Sequence, residues 1–246
     1  MNHNSPAILT YHSIDDSGSV ISLKPETFRA QIHHLVRHGI PVAPLREAPS
    51  RPGSVAITFD DGFRNFYQCA FPVLCEYRLP ATVFVVSGYC GRANDWPSQP
   101  AAGIPKLPLM GWSELQEISR YGIDLGVHTV NHPRLTGIPE REVLAEFRSC
   151  REEIEARTGK PADTMAYPYG DSNRPVRQCA RQAGFEVACG TSLAKLASYS
   201  DPMDLPRLDM YYFQKLFWFR SLWSLHGRGY LAVRRSLRAI RAGRPQ

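Results

Sequence analysis

No stretch of the chain approaches eighteen consecutive apolar residues, so no membrane-spanning helix is expected. No Cys-x-x-Cys pair occurs among Cys69, Cys75, Cys90, Cys150, Cys179 and Cys189. That scatter fits neither a structural zinc site nor a compact disulfide framework, and the cysteines are expected to be reduced, mostly as small core residues. The first residues, Met1-Asn2-His3-Asn4-Ser5-Pro6, lack the basic start and apolar run of a secretory signal. A cytoplasmic protein is the resulting expectation. Internal repeats and low-complexity segments are also missing. Acid is missing from one region in particular: residues 214–246 hold Lys215, Arg220, Arg228, Arg234, Arg235, Arg238, Arg241 and Arg244 with no Asp or Glu. The whole chain has 29 basic and 23 acidic residues, so outside this tail 21 basic residues meet 23 acidic ones. The formal charge of +6 therefore belongs to the tail and gives no argument for nucleic-acid binding.

What is present is ordinary for a globular α/β protein: 246 residues, 43% apolar and 21% charged. Strand-like runs at 7–11, 54–59, 81–86, 123–127, 163–166, 185–189 and 205–210 alternate with helical patterns. The helices are expected at 25–38, around 65–77, and at 112–121, 139–158 and 175–183. Repeated βα units of this size imply parallel strands with right-handed crossovers. His12, Asp60, Asp61, His128 and Tyr169 all fall at or just past the C-terminal end of such a run. In a βα barrel those ends converge on one mouth, where catalytic groups gather. The expected architecture is therefore a barrel rather than an open doubly wound sheet. The long connection 87–111, rich in Gly and Pro, leaves a strand on that face and is expected to form a wall of the substrate site.

Two segments carry the chemistry. In Thr58-Phe59-Asp60-Asp61-Gly62 an apolar strand runs into two adjacent carboxylates. Taken alone, this is equally a solvated Asp-Asp-Gly turn. The second segment, His128-Thr129-Val130-Asn131-His132-Pro133, places two imidazoles four residues apart after another strand. Asp61, His128 and His132 together make a nitrogen and oxygen donor set suited to zinc. His34 and His38 are also four apart, but lie opposite the Phe28/Ile32/Leu35 stripe of a helix and are expected on a solvated face.

These two segments resemble the first two motifs of the polysaccharide deacetylases (NodB homology domain, carbohydrate esterase family 4). The resemblance covers roughly residues 7–210 and implies a distorted (β/α)7 barrel with a divalent metal, zinc first and cobalt, nickel or iron as alternatives. It implies a catalytic domain over 1–212 followed by a basic, aromatic helical tail at 213–246. By it, Asp60 is the general base and Asp61, His128 and His132 hold the metal. The third motif of the family usually begins with an arginine that orients the base, whereas this chain reads Ala166-Tyr167-Pro168-Tyr169-Gly170. That version resembles the biofilm-type poly-N-acetylglucosamine deacetylases, in which the acid histidine comes from the first strand; here it matches His12. Arg207, by its position in Leu205-Pro206-Arg207, is expected to supply the missing guanidinium. The backbone N–H of Tyr169 is implied as an oxyanion donor, and Tyr167, Tyr169 and Trp96 are expected at the substrate. Asp95-Trp96 and Leu225-His226 resemble later motifs but stand in the wrong order, and no role is transferred to them.

The resulting expectation is a hydrolase that removes acetyl groups from N-acetylhexosamine units, with an N-acetylated carbohydrate as partner and no nucleic acid. A glycosidase built on Asp60 and Asp61 fits poorly, because neighbouring strand residues point to opposite faces and the histidines would have no task. Two alternatives stay open: a carbohydrate-binding or membrane-associated accessory protein, and a deacylase of another carbon–nitrogen substrate. For the tail, a helix packed on the barrel competes with peripheral contact at the inner face of a membrane. The sequence says nothing of oligomeric state.

Overall fold

The computed structural model describes residues 5–99 and 103–242, the side chains of 238–242 excepted. In chain order the elements are β1 (Ala7–Tyr11), β2 (Ser13–Ile14), β3 (Ser22–Leu23), α1 (Pro25–Arg37), β4 (Val55–Phe59), α2 (Phe71–Tyr77), β5 (Ala81–Val85) and α3 (Trp112–Arg120). They continue with β6 (Ile123–Val127), α4 (Glu140–Thr158), β7 (Thr164–Ala166), α5 (Arg174–Gln182), β8 (Val187–Cys189), β9 (Leu208–Asp209), α6 (Leu216–Arg220) and α7 (Leu225–Ala242). Seven strands form one parallel sheet in the order β8-β7-β6-β5-β4-β1-β9. Leu205, just ahead of β9, bridges Cys189 in parallel, so the two edges meet and the sheet curls into a distorted (β/α)7 barrel.

The strand period of two sorts side chains onto two surfaces. Leu9, Ile57, Val83, Leu125 and Met165 belong to the large core cluster with α1 to α5. Ile8, Ala56, Phe84, Ala166, Cys189 and Leu205 make a separate cluster, with Leu45, Ala48 and Leu196. Gly126 is part of that inner fit, since a Cβ there would stand 2.5 Å from the Phe84 ring. All six cysteines are free, and burial pushes the Cys150 and Cys189 thiols up to about 12, so they sit as inert apolar groups.

Two expected elements are modified for the same reason. The helix anticipated around 65–77 is a π-helical turn, Phe66–Ala70, running into α2, with Pro72 in the first turn of α2. The strand anticipated at 205–210 keeps only β9, because Pro206 has no N–H to give to a ladder.

The tail folds back on the barrel. Phe213 and Phe219 are fully buried, and Leu222 nearly so. Gln31 of α1 ties the two parts together, accepting from the Tyr11 hydroxyl and donating to the Phe213 carbonyl. This corrects the expectation for His34. It is buried, with its ring 5.9 Å from that of Phe219 and 6.3 Å from that of Trp223. A face that looks solvated on one helix is covered by residues nearly two hundred positions later.

Candidate metal centre and catalytic cleft

The site follows from the inward period-two register carried one step past the strand ends. Asp60 N–H donates to the Tyr11 carbonyl and His128 N–H to the Val85 carbonyl, each extending the parallel ladder by a residue. Asp60 thus continues the inward series of Ala56 and Thr58, and His128 that of Asp124 and Gly126. Asp61 would point away, but its φ of 69° turns the chain and returns its carboxylate to the mouth. Thr129, His132 and Tyr169 also have positive φ, at 70°, 54° and 60°. Left-handed backbone costs roughly 1–2 kcal/mol at such residues, and strain of this kind clusters where function over-determines the geometry. Among the described residues the fifth case, Arg78, is merely the cap of α2.

Asp61, His128 and His132 are buried, and one donor atom from each lies within 4.8 Å of the others. The two Nε2 atoms stand 3.4 and 3.3 Å from the same Asp61 Oδ1. His128 Nδ1 is 2.7 Å from the Ala166 carbonyl, which needs a proton on Nδ1 and leaves the Nε2 lone pair for a cation. The donor set therefore fits a divalent metal with three protein ligands. Burial would raise the Asp61 pKa, but hydrogen bonds and positive charge from both histidines hold its carboxyl well below the usual range. Burial lowers His132; the same burial on His128 is outweighed by Asp61 and Asp60, which raise it.

Asp60 lies beside this cluster and has its own partner. Arg207 Nη1 and Nη2 donate to its two carboxylate oxygens at 2.6 and 2.7 Å, a bidentate pair in which both groups are buried. Arg207 Nε donates to the Gly190 carbonyl, and its guanidinium lies 5.6 Å from the centre of the Phe84 ring. The guanidinium thus sits inside the barrel, against Phe84. Burial pushes Asp60 up, yet the charge and hydrogen bonds of Arg207 prevail and its pKa is lowered. His12, half-buried, has Nε2 3.7 Å from Asp60 Oδ2 on the solvent side.

Tyr169 closes the other side. Its ring packs on His132, and its hydroxyl receives the Trp96 indole N–H and donates to the Ser98 carbonyl. Ser98 Oγ in turn donates to the His132 carbonyl. The 87–111 connection is therefore fastened directly to the metal loop. Trp96 is only 2% exposed, with its ring centre 4.2 Å from that of His132; it backs the imidazole instead of offering an open platform. Tyr167 does not reach the cleft, which corrects its expected place at the substrate. Ala166 points inward, so the next residue points outward, and the buried Tyr167 hydroxyl donates to the Met203 carbonyl in the core.

The cleft opens from a pocket of about 90 Å³ at the metal ligands into one of about 330 Å³ lined by His12, Val20, Ile21, Thr191, Tyr211 and Tyr212. Sequence reasoning gave Tyr211 and Tyr212 no role at the site. The same signal that found His12 would have found them, since they closely follow the last strand. Glu146 was also missed: on α4 it accepts from the backbone N–H groups of Val130 and Asn131 and from the Asn131 side chain. Nothing in the sequence marks it among the other acids of that helix.

Comparison with known proteins follows this geometry. A family model described as polysaccharide deacetylase matches residues 47–188. YxkH of Bacillus subtilis (strain 168) is 26% identical over 192 residues, which span 75% of this chain and 63% of YxkH, less than two thirds of its length. The poly-beta-1,6-N-acetyl-D-glucosamine N-deacetylase of Staphylococcus aureus (strain NCTC 8325 / PS 47) is 25% identical over 205 residues, 76% of this chain and 67% of that protein. Among solved structures, IcaB from Ammonifex degensii superposes with a TM-score of 0.75 at 23% identity, covering 88% of this chain and 97% of IcaB. The Streptococcus pyogenes deacetylase PplD, in complex with acetate, gives 0.70 at 22%, covering 83% and 92%. At these identities the two structures share the fold with this chain.

Proposed function

This chain belongs to the polysaccharide deacetylase family, and from that premise we propose that it hydrolyses the N-acetyl group of an N-acetylhexosamine unit in a glycan or glycan precursor, releasing acetate and an amine. The observation that carries this reading is the convergence of Asp61, His128 and His132 donor atoms beside the Asp60–Arg207 pair. Asp61, His128 and His132 would hold a divalent cation, zinc first. When bound, such an ion supplies Lewis acidity towards the acetyl carbonyl and the attacking water.

The chain's own residues supply the proton transfers. Asp60 takes a proton from the water that adds to the amide carbon, and Arg207 holds its two oxygens in a fixed plane for that purpose. The Tyr169 backbone N–H is assigned to the developing oxyanion. As the carbon–nitrogen bond breaks, His12 gives its proton to the departing nitrogen as general acid. Val20, Ile21, Tyr211 and Tyr212 provide apolar faces for sugar rings. Support for an active enzyme over an accessory protein comes from Arg207, because a guanidinium reaches the base despite the alanine in the third motif.

The test is acetate release from N-acetylated oligosaccharides with added zinc or cobalt. Chelation should abolish it. Asp61→Asn should lose cation uptake and turnover together, whereas Asp60→Asn should keep cation uptake and lose turnover by about 10²–10⁴-fold. Absence of cation binding by the wild type, or full activity of Asp60→Asn, overturns the assignment.

A further inference from the structure

Helix α7 is apolar on two sides, and the fold uses one of them. Leu231 is buried in the core, and Gly227 lies so close to the Ser221 carbonyl that a Cβ there would collide with it. At 3.6 residues per turn, positions 225, 229, 233 and 237 form a stripe whose middle lies opposite Leu231. They are Leu225, Gly229, Val233 and Leu237, and the three with side chains are 66%, 59% and 47% exposed. Exposed Ala232 and Ser236 lie along the stripe, and Arg234 and Arg235 fall on either side of it. Phe217 of α6, 64% exposed, adds a further ring close by, since its neighbour Trp218 stacks on Tyr230 of α7 with centres 4.2 Å apart. A contiguous apolar surface rimmed by charge marks an interaction site.

The occupant follows from the charges. Residues 214–246 hold eight basic residues and no acidic one. Two copies meeting stripe to stripe would bring arginines together with no acid from this segment to offset them. A bilayer containing anionic lipid meets both demands, with hydrocarbon for the stripe and phosphates for arginines on each side of it. Among the described residues no helix is long and apolar enough to cross a membrane, so the contact is interfacial. We propose that α7 lies in the surface of an anionic phospholipid bilayer, with Leu225, Val233 and Leu237 among the acyl chains and the flanking arginines at the phosphates. The Tyr230 hydroxyl donates to the carbonyl of Tyr212, a residue of the cleft wall, so a docked helix holds the cleft close to the bilayer. The inference does not depend on the deacetylase reading, because its readout is binding.

The experiment is co-sedimentation of the full chain with vesicles of phosphatidylglycerol mixed with phosphatidylcholine, and with phosphatidylcholine alone. Wild type should pellet with the mixed vesicles and far less with phosphatidylcholine. Val233→Ser combined with Leu237→Ser should weaken that partitioning by about tenfold or more. Its thermal midpoint should match that of wild type, since both side chains are exposed. Val233→Trp should add blue-shifted indole emission on mixed vesicles, which attachment through arginines alone would not give. The proposal is overturned if wild type stays in the supernatant, if the double variant pellets as wild type does, or if position 233 gives no blue shift. A dimer in sedimentation equilibrium that the double variant dissociates, with no pelleting of wild type, assigns the stripe to a second copy and also overturns it.

Discussion

Asp60 and Asp61 are neighbours in sequence and differ in chemistry because one backbone angle separates them. Asp60 stays in the extended register and meets Arg207, while the positive φ of Asp61 swings it to the two imidazoles. The Asp60–Arg207 pair is buried, so removing one partner strands a charge. Arg207→Met should therefore lower the unfolding free energy by about 3–5 kcal/mol. Asp60→Asn added to it should restore part of that loss, which denaturant titration of the two singles and the double will read as a coupling energy. Lys195 gives a prediction in pH. Burial first, and then the charge of Arg228, lowers its folded pKa from 10.5 to about 8. Between those values the unfolded chain binds a proton that the folded one has released, so stability must rise with pH across the window. Thermal midpoints of wild type relative to Lys195→Gln should increase from pH 8 to 10.5; a flat difference would contradict the burial assigned to that amine.

At the scale of elements, the metal loop is held from outside by α4. Glu146 accepts three hydrogen bonds from residues 130 and 131, between the two imidazoles. Outer partners of this kind typically change metal affinity by about 10–100-fold. Glu146→Gln should weaken cation binding within that range in a calorimetric titration and leave the thermal midpoint of the protein almost unchanged. A loss of fold instead would make Glu146 a stabilising residue of α4. The elements themselves were largely legible, because their apolar periods and glycine or proline boundaries are local. Strand β6 matches the expected 123–127, and α4 ends at Gly159 with a φ of 69°, as expected. Where the reading slipped, at β9 and ahead of α2, a proline altered the hydrogen bonding within an otherwise regular pattern.

For the whole molecule, the tail is part of the core. Phe219, Leu222 and Leu231 are buried, and α6 and the turn after it cover His34. A chain truncated after Gln214 should expose this surface and melt at a clearly lower temperature in calorimetry. An unchanged midpoint would show that the segment contributes nothing to the barrel.

The sequence by itself determined the barrel's alternation of elements and the gathering of the three metal donors and Asp60 at one mouth, because strand ends in a parallel βα fold converge and these residues stand at those ends. It could not determine what crosses the barrel. Arg207 beneath Asp60, which the sequence offered by position alone, Glu146 behind the metal loop and the burial of His34 each depend on contacts between segments far apart in the chain. Local periodicity tells which face a side chain takes; only closure of the sheet and packing of the tail decide what it meets there.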